Sequence, residues 1–470
     1  MIFNVPHENW EEFKKPILTK QYEKLFNGNF SIFSGYFEEK NIVYLFRDFL
    51  GVSTLFYRIN NSEININFSY KNLICPDDIV NRNGAYNFIF FGTSRFSSLI
   101  DGIDICPPGS IISFDKKNKK LNLVYKHSIV PSKLERFNEN EILNIYNKKL
   151  SESVKKNPYK GKKAIFMGGG IDAACIASKV EDKLDAITAL PWGSISSERE
   201  SSATNTKILK IQKHKFLEVG PQTFNSNNLE NKYDIPLGSL NFLVINQMFN
   251  EDILDKYSTL LFGQGADTLF CSAGSQSTSA LMPWILRRLF LKESDPVNLL
   301  LKMTSGGVMK DNSEIINNLI PKNLTKIQRI IMAGLKITHT PVDSEYFIIP
   351  AIKNNKYTFN PYYDLEVIKF LMGTKKKVAI DYSKRTRKFP FKFDKKLQRD
   401  LWRLISNSTL TPSKKNFYLS SNYEPIKEFL RITPSYIDGF KIKTENQRFA
   451  AYSLRKFADK NNLKISLDIS

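Results

Sequence analysis

The stretch that most constrains this chain runs from Lys162 to Ala177 and reads K-K-A-I-F-M-G-G-G-I-D-A-A-C-I-A. Ala164 to Met167 is a short apolar run suited to a buried parallel strand. Gly168, Gly169 and Gly170 follow, and Ile171 to Ala177 opens a helix. Strand, glycine turn and helix start together form an anion site. Without Cβ atoms, backbone N–H groups can close on a phosphate, and the helix dipole adds partial positive charge. Asp172 would repel a bare phosphate. It fits a turn in which Mg²⁺ lies between the carboxylate and a polyphosphate. A glycine turn carrying a solvated aspartate would look the same taken alone.

A second turn of the same kind answers it. Ser258 to Phe262 reads as a strand that runs into Gly263-Gln264-Gly265-Ala266-Asp267. In an open parallel sheet, ligands bind beyond the carboxyl ends of the strands. Asp172 and Asp267 are therefore expected to face one cleft and share magnesium on one nucleotide. Asp185 to Leu190 and Lys215 to Val219 supply further strands, with a charged helix over residues 196–213 and another over 237–249. Arg199 and Glu200 fall on that charged helix and read as its solvated face.

With 470 residues the chain exceeds one ordinary core, so two or more domains are expected. Residues 1–130 read as β-rich, with strands at Ile42–Phe46, Leu55–Arg58 and Ile64–Phe68. A Pro-Gly turn at Pro107-Pro108-Gly109 leads into Ile111 to Phe114. Ser128 to Glu135 reads as a linker, followed by a helix over 139–156. The chain after Leu281 reads as mostly helical and ends in a helix over 445–461.

The net charge is +21, yet only Lys375 to Lys396 concentrates it. No segment interleaves arginine with aromatics as an RNA-binding surface does, so the charge does not argue for nucleic acid. No window nears the ~18 apolar residues of a membrane span, and the first ten residues lack the layout of a secretory signal. Cys75, Cys106, Cys175 and Cys271 show neither disulfide nor zinc spacing. A cytoplasmic, thiol-reduced protein is expected.

Five pieces in order resemble the asparagine synthetase family over nearly the whole chain. Gly168 to Ala173 is similar to its pyrophosphate loop S-G-G-[LI]-D-S. Phe262 to Phe270 (F-G-Q-G-A-D-T-L-F) is similar to its second loop, S-G-x-G-[AG]-D-E-L-F. Pro361 to Asp364 resembles P-F-L-D, and Arg47 to Tyr57 resembles R-D-x-L-G-x-x-x-[LF]-[YF]-Y. The P-P-G turn is the fifth piece. The resemblance implies an Ntn-hydrolase-like, β-rich α+β domain over residues 1–130. Residues 136–470 would form an α/β parallel-sheet ATP-pyrophosphatase domain with a helical C-terminal part. It implies ATP and Mg²⁺ as ligands, with Asp172 and Asp267 on the metal. The backbone of Gly168, Gly169, Gly170, Ile171 and Ala173 would hold pyrophosphate. Leu190, Gly263 and Gln264 would lie against the nucleotide. Lys414, three residues before Phe417, matches the family lysine on the α-phosphate, with Lys415 as the other choice.

The resemblance implies a ligase that adenylates a carboxylate and lets an amine displace AMP. Position 2 is Ile2 and no cysteine precedes Cys75, so no thiol is placed to hydrolyse glutamine. Purified protein is therefore expected to release no glutamate from glutamine in a coupled dehydrogenase assay. An ATP site without an ammonia source is the layout of lasso-peptide cyclases and β-lactam synthetases, whose amine is already on the substrate. The N-terminal domain and size are closer to the lasso cyclases. An acidic precursor peptide would also give Lys375 to Lys396 a partner. Two family serines are replaced by Gly168 and Ala173, and each lost hydroxyl donor is worth about 1.5–3 kcal/mol. Gln264 stands where asparagine synthetases have glutamate, and it cannot act as a base. A small-molecule amide synthetase using ammonia or a substrate amine, a degenerate homologue and an RNA-modifying ATP pyrophosphatase stay open as alternatives.

Overall fold

A computed structural model of the chain describes residues 1–61, 63–93, 97–191, 195–219, 235–240, 252–270, 318–338, 347–351, 354–379, 395–407, 430–438, 440–442 and 444–469, besides isolated positions. The strands of its N-terminal part are β1 (Ile2–Phe3), β2 (Ser34–Glu39), β3 (Ile42–Arg47), β4 (Phe56–Asn60) and β5 (Glu63–Asn67), then β6 (Ile79–Val80), β7 (Asp104–Ile105), β8 (Ser110–Asp115) and β9 (Lys120–Lys126). The later strands include β10 (Lys163–Phe166), β11 (Leu184–Pro191), β12 (His214–Val219), β13 (Thr259–Leu261) and β14 (Tyr357–Phe359).

Strands β1, β2, β3, β8 and β9 form one antiparallel sheet in that spatial order, and β5-β4-β7 form a second. Alternation explains why they stack. Val43, Leu45, Ile112 and Phe114 share one face with Leu55 and Tyr57, while Phe46 and Ile111 point into the main core. The Arg47 to Gly51 stretch is a locked turn. Asp48 accepts from the N–H groups of Val52 at 3.0 Å and Ser53 at 2.9 Å. The Arg47 guanidinium donates to the carbonyls of Ser53, Cys106 and Gly51. Gly51 has φ +69°, and a Cβ there would lie 2.6 Å from Pro108 Cγ. Both ends of the R-D-x-L-G pattern are thus structural.

Asn4 ties this part to the rest. Its φ of 59° suits asparagine, and its side chain donates to Ile32 O, Tyr159 Oη and Thr358 O while accepting from Thr358 N at 3.0 Å. All of these groups are buried, so Asn4→Ala leaves several without partners. A loss of about 2–3 kcal/mol is expected, read from the urea midpoint, since an alanine is also strained at that φ.

The other large sheet is wholly parallel, in the order β12-β11-β10-β13-β14. Ile165, Met167, Ala186 and Leu261 face a core shared with Ile142, Tyr146, Leu401 and Trp402. Ala164, Ile187, Ala189, Leu260 and Phe262 face the other side, against Phe449 and Leu454. Burial on both faces is why these strands read as unbroken apolar runs. The chain moves outward from β10 to β12, then returns to place β13 on the far side of β10. The order reverses between β10 and β13, which is where ligands bind in such sheets.

Several expectations are corrected. The helix expected to reach Lys213 ends at Ile208, because Lys210 turns to φ 55° and the chain enters β12 at His214. The helix expected from Leu237 does not begin there. Residues 237–239 have no regular secondary structure, with Gly238 pressed so closely on Gly92 that a Cβ would lie 1.7 Å from Gly92 O. The N–H groups of Leu237 and Leu240 are taken by Ser453 and Asn446 side chains. Most of 241–251, and all of 271–317, lie outside the described residues. The region after Leu281 is helical at Lys326–Ala333, Leu365–Gly373, Lys396–Ser406 and Glu445–Lys460, but β14 interrupts it to pair with β13. Among the described residues no helix is long and apolar enough to cross a membrane.

Candidate functional site

Register brings the two glycine turns together. Ile165 pairs with Leu261, so Phe166 and Phe262 leave the sheet side by side with their rings 5.2 Å apart. The turns then touch through Gly263. A Cβ on Gly263 would lie 2.7 Å from Ala173 N and 3.0 Å from Ala173 Cα, so only glycine lets the second turn lie on the first. The obstacle is backbone, which cannot swing aside. Gly263→Ala is expected to cost about 2 kcal/mol in thermal or urea unfolding. Gly170→Ala, whose Cβ would meet nothing within 4 Å, should change little.

Asp172 and Asp267 meet on one cation. Lys395 Nζ lies 2.5 Å from Asp172 Oδ2 and 2.8 Å from Asp267 Oδ1. Lys395 is 8% exposed. Burial alone would lower its pKa, but the two carboxylates outweigh it and hold the ammonium charged well above the usual range. Lys395 immediately precedes the helix Lys396–Ser406, which packs on the helix Ile171–Ala177. A buried relay fixes that docking. Tyr146 donates to Gln398 Oε1, Gln398 Nε2 donates to Tyr362 Oη at 2.6 Å, and Tyr362 donates to the carbonyl of Asp172 at 3.0 Å. The sequence pattern placed Lys395 only within a basic segment. Its location behind two distant turns left no local signal.

Around the first turn, Gly169 N–H donates to Glu198 Oε1 at 2.6 Å, and Asn205 Nδ2 donates to Gly170 O at 3.2 Å. Both side chains come from the helix Ile195–Ile208, where charge alone had suggested a solvated face. Arg199 and Glu200 do stay on that face. Arg199 pairs with Glu218 at 2.7 Å and lies over the Phe216 ring, and Glu200 is exposed. Ile171 and Ala173 are buried beneath the turn, and Leu190 is fully buried near the end of β11. The Gln264 carbonyl accepts from Asn360 Nδ2 at 2.9 Å.

The P-F-L-D-like stretch has a structural part. Asp364, in the P-F-L-D-like stretch, accepts from Glu366 N at 2.8 Å to cap the helix Leu365–Gly373, and pairs with Lys156 at 2.7 Å. That stretch meets the site through Tyr362. Lys414 and Lys415 lie outside the described residues, as do residues 380–394 of the basic segment. At its ends, Lys396 pairs with Glu139, Lys375 donates to Glu135 O at 2.8 Å, and Lys395 turns inward.

Among the described residues no three His, Cys, Asp or Glu side chains cluster to hold a metal unaided. Two carboxylates converging on one ammonium are nevertheless a donor set for a cation. Mg²⁺ commonly takes one or two carboxylates and completes its shell with water and phosphate oxygens. Asp172 and Asp267 fit that role. No family model matches the chain, and no curated protein matches it. Among solved structures, a glutamine-dependent NAD⁺ synthetase from Acinetobacter baumannii in complex with ADP is similar at 16% identity and a TM-score of 0.22. The likeness covers 39% of this chain and 33% of that one, so the matched region spans about a third of that protein. At that level it carries neither fold nor function across.

Proposed function

We propose that the chain is an ATP-dependent, carbon–nitrogen bond-forming ligase. Residues 136–470 form its ATP-pyrophosphatase-like unit, and residues 1–130 form an amidotransferase-like domain without glutaminase chemistry. The observation that supports this reading is the meeting of Asp172 and Asp267 on Lys395, beside a glycine turn at the sheet's switch point. A substrate carboxylate attacks the α-phosphate of ATP, pyrophosphate leaves, and a substrate amine then displaces AMP to give the amide. Asp172 and Asp267 would hold magnesium, which would supply charge neutralisation on the polyphosphate. The backbone of Gly168 to Gly170 orients the leaving pyrophosphate, and Lys395 counters charge on the same phosphates. Lys414 is proposed for the α-phosphate. The layout best suits an amine already on the substrate, as in isopeptide closure of a peptide, with an acidic precursor as partner.

A degenerate homologue is the second reading, and one observation favours it. Lys395 already neutralises both aspartates, while Gly168 and Ala173 lack the hydroxyls of the family loop. ATP–pyrophosphate exchange across candidate carboxylates separates the two. The ligase reading expects exchange that needs Mg²⁺ and disappears in Asp267→Asn. No exchange with any candidate peptide or small carboxylate would favour the second.

A further inference from the structure

We propose that Glu198 is a built-in anion seated on the glycine turn, and that a polyphosphate takes the turn only by displacing it. This rests on the nucleotide reading of the site given above. The Glu198 carboxylate accepts from Gly169 N–H at 2.6 Å, the kind of backbone donor a phosphate oxygen would use. It sits directly on the turn. A Cβ added to Gly168 would lie 2.4 Å from Glu198 Oε1, whereas one on Gly169 would first meet Ser201 Cβ at 2.5 Å. Gly168 therefore already makes room for an anion, and that anion is the chain's own. Glu198 is 5% exposed, so the contact is an enclosed one rather than a chance surface pairing.

The cation side is filled in the same manner, with the Lys395 ammonium on Asp172 and Asp267. Together they form an internal ion set resembling a metal–anion pair on the same two turns. The helix that carries Glu198 also holds the turn by a separate bond, Asn205 Nδ2 to Gly170 O at 3.2 Å. The turn therefore keeps a brace when the carboxylate swings away. Binding a polyphosphate against Glu198 sets two anions on one donor, which like-charge repulsion forbids. One must leave.

The test is calorimetric titration of the full chain with pyrophosphate and Mg²⁺, comparing wild type, Glu198→Gln and Glu198→Ala. The glutamine keeps an acceptor for Gly169 N–H but not the charge. A tenfold or greater fall in Kd in both variants is the expected result. Unchanged or weaker binding in the variants, with wild type binding normally, overturns the proposal and makes Glu198 a structural brace of the turn. If none of the three binds while all unfold cooperatively, the nucleotide reading itself fails and this inference with it. Loss of wild-type binding in Asp267→Asn shows that the titration reads this site.

Discussion

Lys395→Met is expected to destabilise the protein by about 3–5 kcal/mol, the usual cost of removing one partner from a buried ionic cluster. The methionine fills the same space as the lysine stem but removes the ammonium that Asp172 and Asp267 share. Urea unfolding at pH 7 measures the loss. The sign of its pH dependence follows from the raised pKa of Lys395. The ammonium's contribution is fully present below the unfolded lysine value of 10.5 and is lost only as pH climbs through the higher folded value. The gap between wild type and variant therefore persists through the neutral and mildly alkaline range. It narrows in acid, where the two carboxylates protonate. On the proposed reading, millimolar Mg²⁺ should return part of the lost stability to the variant, because a divalent ion would bind the folded state at the same carboxylates. A variant as stable as wild type in chelator would show that the two aspartates do not depend on this cation.

The parallel sheet and its two turns were legible because their causes are local. Strands buried on both faces appear as unbroken apolar runs such as Ala164 to Met167, and glycine marks the tight turns after them. Capping chemistry likewise announces helices, as at Asn138, which exchanges bonds with Glu141 at the start of Glu139–Lys155. What stayed hidden was set by distant partners. Gly238 abandons a helical pattern because Gly92 lies against it. Asp364 matched a motif but is used as a cap on the helix Leu365–Gly373 and pairs with Lys156. Lys395 and Glu198 carried no signal beyond charge. Both are buried, and a buried charge is explained only by the partner it meets. For Lys395 that partner lies more than a hundred residues away along the chain.

Lys336→Met is expected to act in the opposite direction, raising stability by about 2–4 kcal/mol at pH 6 and below. Lys336 sits in the turn Gly334–Thr338, 5% exposed, with its Nζ 4.0 Å above the Phe49 ring. Burial lowers its pKa to about 7, helped by the positive charges of Lys126 and Arg47 and opposed by Asp48. Against 10.5 in the unfolded chain, that gap corresponds to on the order of 4–5 kcal/mol. The contact with Phe49 offsets part of what methionine would gain. Between pH 7 and 10.5 the unfolded chain binds the proton that the folded lysine has released, so wild-type stability rises with pH across this window. Below pH 7 the penalty is fully present, and above 10.5 it is gone. Methionine removes the titration altogether. The difference between the two urea midpoints should therefore be largest near pH 6 and vanish near pH 10.5. A constant difference would mean that Lys336 stays charged on folding, with Asp48 rather than burial governing it.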